Sequence, residues 1–191
     1  MRFRRNIERI GEIIAIEISK TLTYAVEQVQ TPLAVAEVEV PQDQVVLGTI
    51  LRAGLPLHQG FLNMFDHAEN AFVSAYRKED ADENGEVKLE IVSEYLAAPS
   101  LSDKTLILVD PMLATGMSME IAYKALLSHG QPACTHLVCA FATPQAIEHL
   151  QTTMPEDCTL WCAVIDPILN PHKYIVPGLG DAGDLCFGGK L

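Results

Sequence analysis

The chain has 191 residues, of which 49% are hydrophobic and 20% charged, and its formal net charge is −12. This composition predicts a folded globular protein with a sizeable core and argues against disorder, while the acidic balance disfavours a nucleic-acid binder, which needs a basic face. No apolar run approaches the ~20 residues of a membrane span, and the start MRFRRNIERIGE lacks the apolar core of a signal peptide.

A long helix is predicted first, over about residues 4–29, because apolar side chains recur there at steps of three and four residues. The stripe consists of Ile7, Ile10, Ile14, Ile18, Leu22 and Val26. Pro32 is expected to end this helix, and residues 33–40 then alternate as a strand. The four arginines at the start of the helix are interpreted as a solvated end, with a phosphate-contacting arm as the alternative.

Two predicted strands are each followed by an arginine at their carboxyl ends. Residues 45–51 form a buried strand that leads into Arg52, and residues 71–76 form a strand that ends at Arg77. A helix over 55–65 lies between them. Ligands bind at the carboxyl ends of strands in open α/β sheets, so both arginines are candidate anion ligands. A surface salt bridge is the alternative for Arg52.

A charged loop follows at 78–86, and residues 87–96 are predicted to return as a hairpin arm. The stretch LILVDPMLATGMS, residues 106–118, comes next and contains the strongest local signal. Four apolar residues predict a buried parallel strand, Asp110 stands at its end, and a small-residue loop precedes a helix over 119–127. Backbone N–H groups, a helix start and the hydroxyls of Thr115 and Ser118 then converge on one point, which favours a phosphate. The alternative is an ordinary strand-to-helix turn, and the Walker A and dinucleotide-binding patterns are both absent.

The remaining elements continue the alternation of strands and helices. Strands are predicted at 135–142 and 160–165, with a helix over 145–151 that begins at Thr143 and Pro144. The pattern predicts an α/β domain with a mostly parallel sheet covered by helices on both faces. The pattern of the glycine-rich tail, 170–191, predicts neither a helix nor a regular strand. Its embedded apolar residues predict a packed, shaped loop whose backbone can read an amide-bearing ring.

The five cysteines, Cys134, Cys139, Cys158, Cys162 and Cys186, form no C-x-x-C pair and have no zinc-like spacing. They are interpreted as reduced core residues, which predicts a cytoplasmic protein.

Three motifs in this order resemble the uracil phosphoribosyltransferases, a type I phosphoribosyltransferase family. They are ILRAG at 50–54, VDPMLATGMS at 109–118 and YIVPGLGDAGD at 174–184, and AYR at 75–77 is similar to that family's second arginine. The resemblance implies the type I fold as a single domain over 1–191, with a core at about 45–165 and a C-terminal glycine-rich hood at about 166–191.

The reaction implied by the resemblance is uracil plus 5-phosphoribosyl-1-diphosphate (PRPP) to UMP plus diphosphate, in pyrimidine salvage. Arg52 and Arg77 would face the diphosphate, and Asp181 would contact PRPP. The ribose 5-phosphate would be held by the loop residues Asp110, Pro111, Met112, Leu113, Ala114, Thr115, Gly116, Met117 and Ser118. Uracil would be bound by Tyr174, Ile175, Gly180, Asp181 and Ala182. Mg²⁺ would arrive mainly on PRPP or diphosphate, with no metal site built from protein ligands, and a homodimer or larger homo-oligomer is expected.

Two residues depart from the family pattern. Met117 stands where glycine is usual, and Leu185 follows GDAGD where lysine or arginine is usual, which removes a positive charge. Two alternative hypotheses for the function therefore remain: a nucleotide-sensing regulator without turnover, and a phosphoribosyltransferase for another base.

Overall fold

The computed structural model describes residues 2–81 and 87–189, and it describes their side chains except for 75–81 and 87–94. The helices are α1 (Arg2–Ser19), α2 (Leu55–Leu62), α3 (Met117–Leu126), α4 (Pro144–Thr153) and α5 (Ala182–Phe187), with a 3₁₀ turn at Leu127–His129. The first strands are β1 (Tyr24–Gln30), β2 (Val35–Pro41), β3 (Val45–Ile50), β4 (Glu69–Ala81), β5 (Val87–Ala97) and β6 (Thr105–Val109). The later strands are β7 (Met112–Leu113), β8 (Cys134–Ala142), β9 (Cys158–Ile165), β10 (Ile168–Leu169) and β11 (Ile175–Val176).

The central sheet has the order β5-β4-β3-β6-β8-β7, and β9 also pairs with β8. Every pairing in it is parallel except that of β4 with β5. The mostly parallel α/β sheet that the sequence predicted is therefore confirmed. The chain goes from β3 to its neighbour on one side and later returns to β6 on the other side, so the strand order reverses between β3 and β6.

Two apolar clusters cover the faces of this sheet. One contains Leu106, Leu108, Met119 and Leu126, and α3 and α4 pack over it. The other contains Ile107 and Val109 with buried residues of α1 and α2. Alternate residues of β6 enter opposite clusters, and all five residues of β6 are buried. A strand covered on both faces reads as a continuous apolar run for this reason.

The predicted helix over 4–29 is wrong in its second half. Helix α1 ends at Ser19, and β1 pairs antiparallel with β2 as a separate two-stranded sheet. Leu22 and Val26 happen to lie at helical spacing from Ile18, although the helix has already ended. The β-branched and aromatic residues of 21–30 favour a strand once a partner strand is available, and Pro32 lies in the connection between the two strands.

The tail is more regular than predicted. Strands β10 and β11 form a small antiparallel pair, and α5 follows at Ala182–Phe187. Pairs this short leave almost no periodic signal in the sequence. The short strand β7 also interrupts the loop that was predicted after Val109. No helix in the described part of the chain is long and apolar enough to cross a membrane.

Candidate active site

The reversal of strand order between β3 and β6 places two candidate residues side by side. Arg52 follows the end of β3, and Asp110 follows the end of β6. Crevices at such reversals are where open α/β sheets bind ligands. Gly54 makes the turn after β3 possible, because a Cβ atom there would lie 2.2 Å from Thr49 Oγ1 and 2.7 Å from the carbonyl oxygen of Ile50.

A cavity of about 220 Å³ opens at this point and joins the sheet edge to the tail. Its lining comprises Leu51, Arg52, Ala53, Asp110, Met112, Ala114, Lys173, Tyr174, Ile175, Gly180, Asp181, Ala182 and Gly183. The structure thus brings residues from three separate sequence motifs to one cavity. We call it the main cavity.

The loop after Asp110 encloses a smaller adjoining space of about 40 Å³. It is lined by Asp110, Met112, Leu113, Ala114, Thr115, Gly116, Ser118 and Met119. The start of α3 borders this space, and helix starts with free N–H groups attract anions. Pro111 is buried within the loop, and Met117 begins α3 without lining either space.

Two contacts with α4 hold this loop in place. Thr143 donates a hydrogen bond from Oγ1 to the carbonyl oxygen of Ala114 at 2.8 Å and accepts one from the N–H of Ala146 at 3.1 Å. Gly116 has φ +80, and a Cβ atom there would come within 3.0 Å of His149 Cδ2. The loop therefore requires glycine both for its left-handed backbone and for the closeness of α4.

Asp110 is a buried carboxyl group, only 8% exposed. Burial raises its pKa to about 7, and a hydrogen bond from the N–H of Met112 opposes that rise. Near neutral pH this side chain is thus divided between its protonated and ionised forms. It can donate a hydrogen bond in the first form and accept one in the second.

Arg52 is engaged with the tail. Its Nη2 donates to Asp184 Oδ1 at 2.8 Å and to the carbonyl oxygen of Gly188 at 2.7 Å. Its Nε is buried and has no hydrogen-bond partner in the described part of the chain. Arg77 lies in β4, and its side chain lies outside those that the structure describes.

Residues from the 173–183 part of the hood supply the far wall of the main cavity. Asp181 caps α5, since its Oδ1 accepts a hydrogen bond from the N–H of Asp184 at 2.9 Å. Gly180 has φ +80 and no atom within 4 Å of a Cβ position, so its backbone conformation alone favours glycine. Ile175 and Ala182 are buried, whereas Tyr174 is exposed.

Sequence reasoning missed two residues of this region. Thr143 was predicted only as a helix start, which is confirmed, but its bond to Ala114 joins residues 29 positions apart and leaves no local signal. Lys173 was passed over because only the fold of the β10–β11 turn brings it to the main cavity. Among the residues described, no three His, Cys, Asp or Glu side chains come together as a metal site.

Comparisons with known proteins show the family of this chain. A family model described as "Uracil phosphoribosyltransferase" matches residues 1–189. A uracil phosphoribosyltransferase of Porphyromonas gingivalis is 58% identical over 191 residues, which is all of this chain and 87% of that protein. One from Pyrobaculum arsenaticum is 40% identical over 188 residues, which is 97% of this chain and 86% of that protein.

Solved structures agree on the fold. The AQ2163 protein from Aquifex aeolicus superposes with a TM-score of 0.83 at 28% identity, over 97% of this chain and 85% of that one. A hypoxanthine phosphoribosyltransferase from Staphylococcus aureus gives a TM-score of 0.52 at 14% identity, over 86% and 74% of the two chains. At that identity the likeness concerns the fold alone.

Proposed function

This chain belongs to the uracil phosphoribosyltransferase family, and we propose that its main cavity is where the phosphoribosyl group passes from PRPP to uracil. The enzyme is a pentosyltransferase of pyrimidine salvage that makes UMP and diphosphate from uracil and PRPP. The observation that supports this placement is the convergence of Arg52, Asp110 and the hood on one cavity at the reversal of strand order.

The loop 110–118 is proposed to hold the ribose 5-phosphate. The small space beside it lies at the start of α3, and Thr115 and Ser118 are among the residues that line it. Met112, Leu113, Ala114 and Gly116 contribute the backbone around that space, while Pro111 and Met117 shape the loop and the helix start. A phosphate there gains the N–H donors and the favourable end of the helix dipole.

Asp110 is proposed to meet the ribose. Asp110 lines both spaces, so it stands where the sugar would join the 5-phosphate to the reacting carbon. Displacement of diphosphate from that carbon passes through an oxocarbenium-like state with positive charge on the ring. An ionised carboxylate beside the ribose hydroxyls stabilises that charge, and the fixed donors of the loop keep the sugar oriented.

Arg52 and Arg77 are proposed to bind the departing diphosphate. Arginine is always charged and matches phosphate oxygens bidentately. The buried Nε of Arg52 has no partner among the described residues, which supports a role for it as a donor to a ligand oxygen. When diphosphate binds, Arg52 would exchange Asp184 for phosphate oxygens, and Asp181 would contact PRPP from the opposite wall.

Uracil is proposed to bind under the hood. Ile175, Gly180 and Ala182 present backbone groups beside the cavity, and Tyr174 and Asp181 border them. Backbone N–H and C=O groups fixed by the β10–β11 pair and by α5 can match the alternating donors and acceptors of a uracil ring. That match requires no ionised base at the ring.

Mg²⁺ is proposed to enter with PRPP. Mg²⁺ prefers oxygen ligands and is commonly bound by substrate phosphates, one or two carboxylates and several waters. The buried carboxylate of Asp110, followed by Pro111, fits a contact through the ribose or through water better than a closed protein cage. The ion then contributes by neutralising charge on the diphosphate.

A homo-oligomer is proposed from the exposed hairpin of β1 and β2. One face of it carries Ala25, Val29, Ala36, Val38 and Val40 with a single acidic residue, and a two-stranded hairpin is marginally stable alone in water. Sedimentation of the protein and of Val29→Glu tests this, because a covered hairpin predicts that the variant dissociates and a free one predicts no change. The five free cysteines support a cytoplasmic location.

One assay tests the function. Purified protein is incubated with PRPP, Mg²⁺ and labelled uracil, with cytosine, hypoxanthine and orotate in parallel. UMP from uracil alone is the expected result. Nucleotide from another base would refute the base assignment, and tight UMP binding without any product would favour a nucleotide sensor.

A further inference from the structure

Lys173 occupies an unusual backbone position at the main cavity. Its φ is +64, a left-handed conformation that side chains with a Cβ atom disfavour. The turn between β10 and β11 imposes it: the N–H of Lys173 donates to the carbonyl oxygen of Asn170 at 2.9 Å, and the N–H of Tyr174 donates to Asn170 Oδ1 at 2.9 Å. Glycine or asparagine would suit the backbone better, so the turn itself does not explain a lysine there.

Lys173 also differs from Arg52, the other described basic residue of the main cavity, because it forms no salt bridge with a described carboxylate. Arg52 is bonded to Asp184 and to a carbonyl oxygen, whereas no salt bridge joins Lys173 to an acid among the side chains described. Asp110 and Asp181 line the same cavity. Helix α5 adds no basic residue, since an exposed leucine stands at position 185.

The described walls of this cavity carry two basic residues, Arg52 and Lys173, and two acidic residues, Asp110 and Asp181. A ligand with several phosphate charges therefore finds no excess of positive charge there. PRPP carries a 5-phosphate and a diphosphate, and the 5-phosphate already has the N–H donors of the loop 110–118 on its side. The diphosphate lies at the other end of the ribose, toward Arg52 and the hood. A further positive charge on the hood would act on that end.

We propose that Lys173 binds the diphosphate of PRPP from the hood, opposite Arg52, and so compensates for the missing cation at Leu185. This inference rests on the proposed function, because it takes the main cavity as the PRPP site. The ammonium group stands on a flexible stem at a hairpin tip, so it can reach the diphosphate on binding and move away when the diphosphate leaves. It is a binding residue, and it takes part in no covalent step.

The test uses four variants of the full chain. Lys173→Met removes the charge and keeps the length, Lys173→Gly also relieves the backbone, and Lys173→Arg keeps the charge. Lys20→Met, an exposed lysine that pairs with Glu17 away from the cavity, is the matched control. Steady-state KM values are measured for PRPP and for uracil, and inhibition constants are measured for diphosphate and for UMP.

We expect both uncharged variants to raise the KM for PRPP and the inhibition constant of diphosphate by about tenfold, the size of one partly exposed contact between a charged donor and phosphate. The KM for uracil and the inhibition constant of UMP should change little, and Lys173→Arg and Lys20→Met should resemble the wild type. Lys173→Gly should melt at or above the wild-type temperature, which separates lost binding from lost folding.

Unchanged PRPP and diphosphate constants in both uncharged variants would overturn the proposal. So would a loss of UMP affinity equal to the loss of diphosphate affinity, since the contact would then involve the nucleotide side. Calorimetric titration of Mg²⁺-diphosphate into each variant needs no turnover. It keeps the test independent of the proposed function, which is tested separately by the nucleotide that the wild type makes from each base.

Discussion

The hydrogen bonds of Thr143 provide the sharpest test of how the fold holds the phosphate loop. We expect Thr143→Val to loosen the loop 110–118, because valine keeps the shape and the extended backbone of this residue but loses the hydroxyl. That hydroxyl joins Ala114 of the loop to Ala146 of α4, and Thr143 is only 1% exposed. The bond to Ala146 is buried and the bond to Ala114 is part-buried, so water replaces the first bond poorly.

The magnitude follows from the two bonds. Loss of the helix cap costs about 1 kcal/mol of unfolding free energy. The carbonyl group of Ala114 is part-buried, so its loss of a donor adds about 1 kcal/mol, the low end of the range for an unsatisfied group. The total of about 2 kcal/mol corresponds to a fall in Tm of about 4–8 °C for a chain of this length.

The assay combines melting with kinetics at a temperature where the variant is folded. We expect the KM for PRPP to rise about tenfold, which is a loss of about 1.4 kcal/mol in binding, while the KM for uracil stays near the wild-type value. Thr143→Ser keeps the hydroxyl and should restore most of both properties. A Thr143→Val protein that melts early but binds PRPP normally would refute the reasoning, because the hydroxyl would then stabilise α4 without positioning the loop.

Three further predictions follow from the same region. Asp110→Asn should lower kcat/KM at least about 100-fold. The pKa of Asp110 is about 7 in the folded protein and 3.8 in the unfolded chain, so the stability of the wild type falls as the pH rises between these values. The Tm of Asp110→Asn relative to the wild type should therefore be higher at pH 8 than at pH 5, and equal Tm differences at the two pH values would contradict this prediction. Gly116→Ala should cost about 1–2 kcal/mol of stability from its left-handed backbone alone and weaken PRPP binding, whereas Gly189→Ala, with nothing near its Cβ position, should change neither melting nor KM. Asp181→Asn and Asp181→Ala should both lose turnover if the charge of Asp181 contacts PRPP. Only Asp181→Ala removes the N-cap of α5, so only this variant should have a lower Tm. Full activity in Asp181→Asn would show that the charge is dispensable.

Much of the core could be predicted because its signals are local. The apolar run before Asp110 predicted a buried strand, and β6 is that strand with every residue buried. Thr143 followed by Pro144 predicted a helix start, and the threonine caps α4 there. Arginine directly after one strand and aspartate directly after another were predicted at the carboxyl ends of their strands, and both residues line the main cavity.

The failures have a common physical cause. Residues 20–30 fit a helical stripe as well as a strand, and the choice was made by pairing with β2, whose paired residues lie five to 17 positions further along the chain. Strands β10 and β11 contain two residues each, which is too few for a period to appear. In both cases pairing with a second strand, which the periodicity of a single segment does not show, decided the conformation.

The sequence by itself determined the order of strands and helices in the core, the buried identity of β6, and the family to which the three motifs belong. These features depend on periodicity, on capping residues and on residue types at short spacing, all of which a linear chain displays. Only the tertiary structure decided that Asp184 and Gly188 hold Arg52, that Thr143 braces Ala114, and that Lys173 reaches the main cavity. Those contacts join residues from 29 to 136 positions apart, and no local pattern encodes which of many distant polar groups will meet once the sheet has formed.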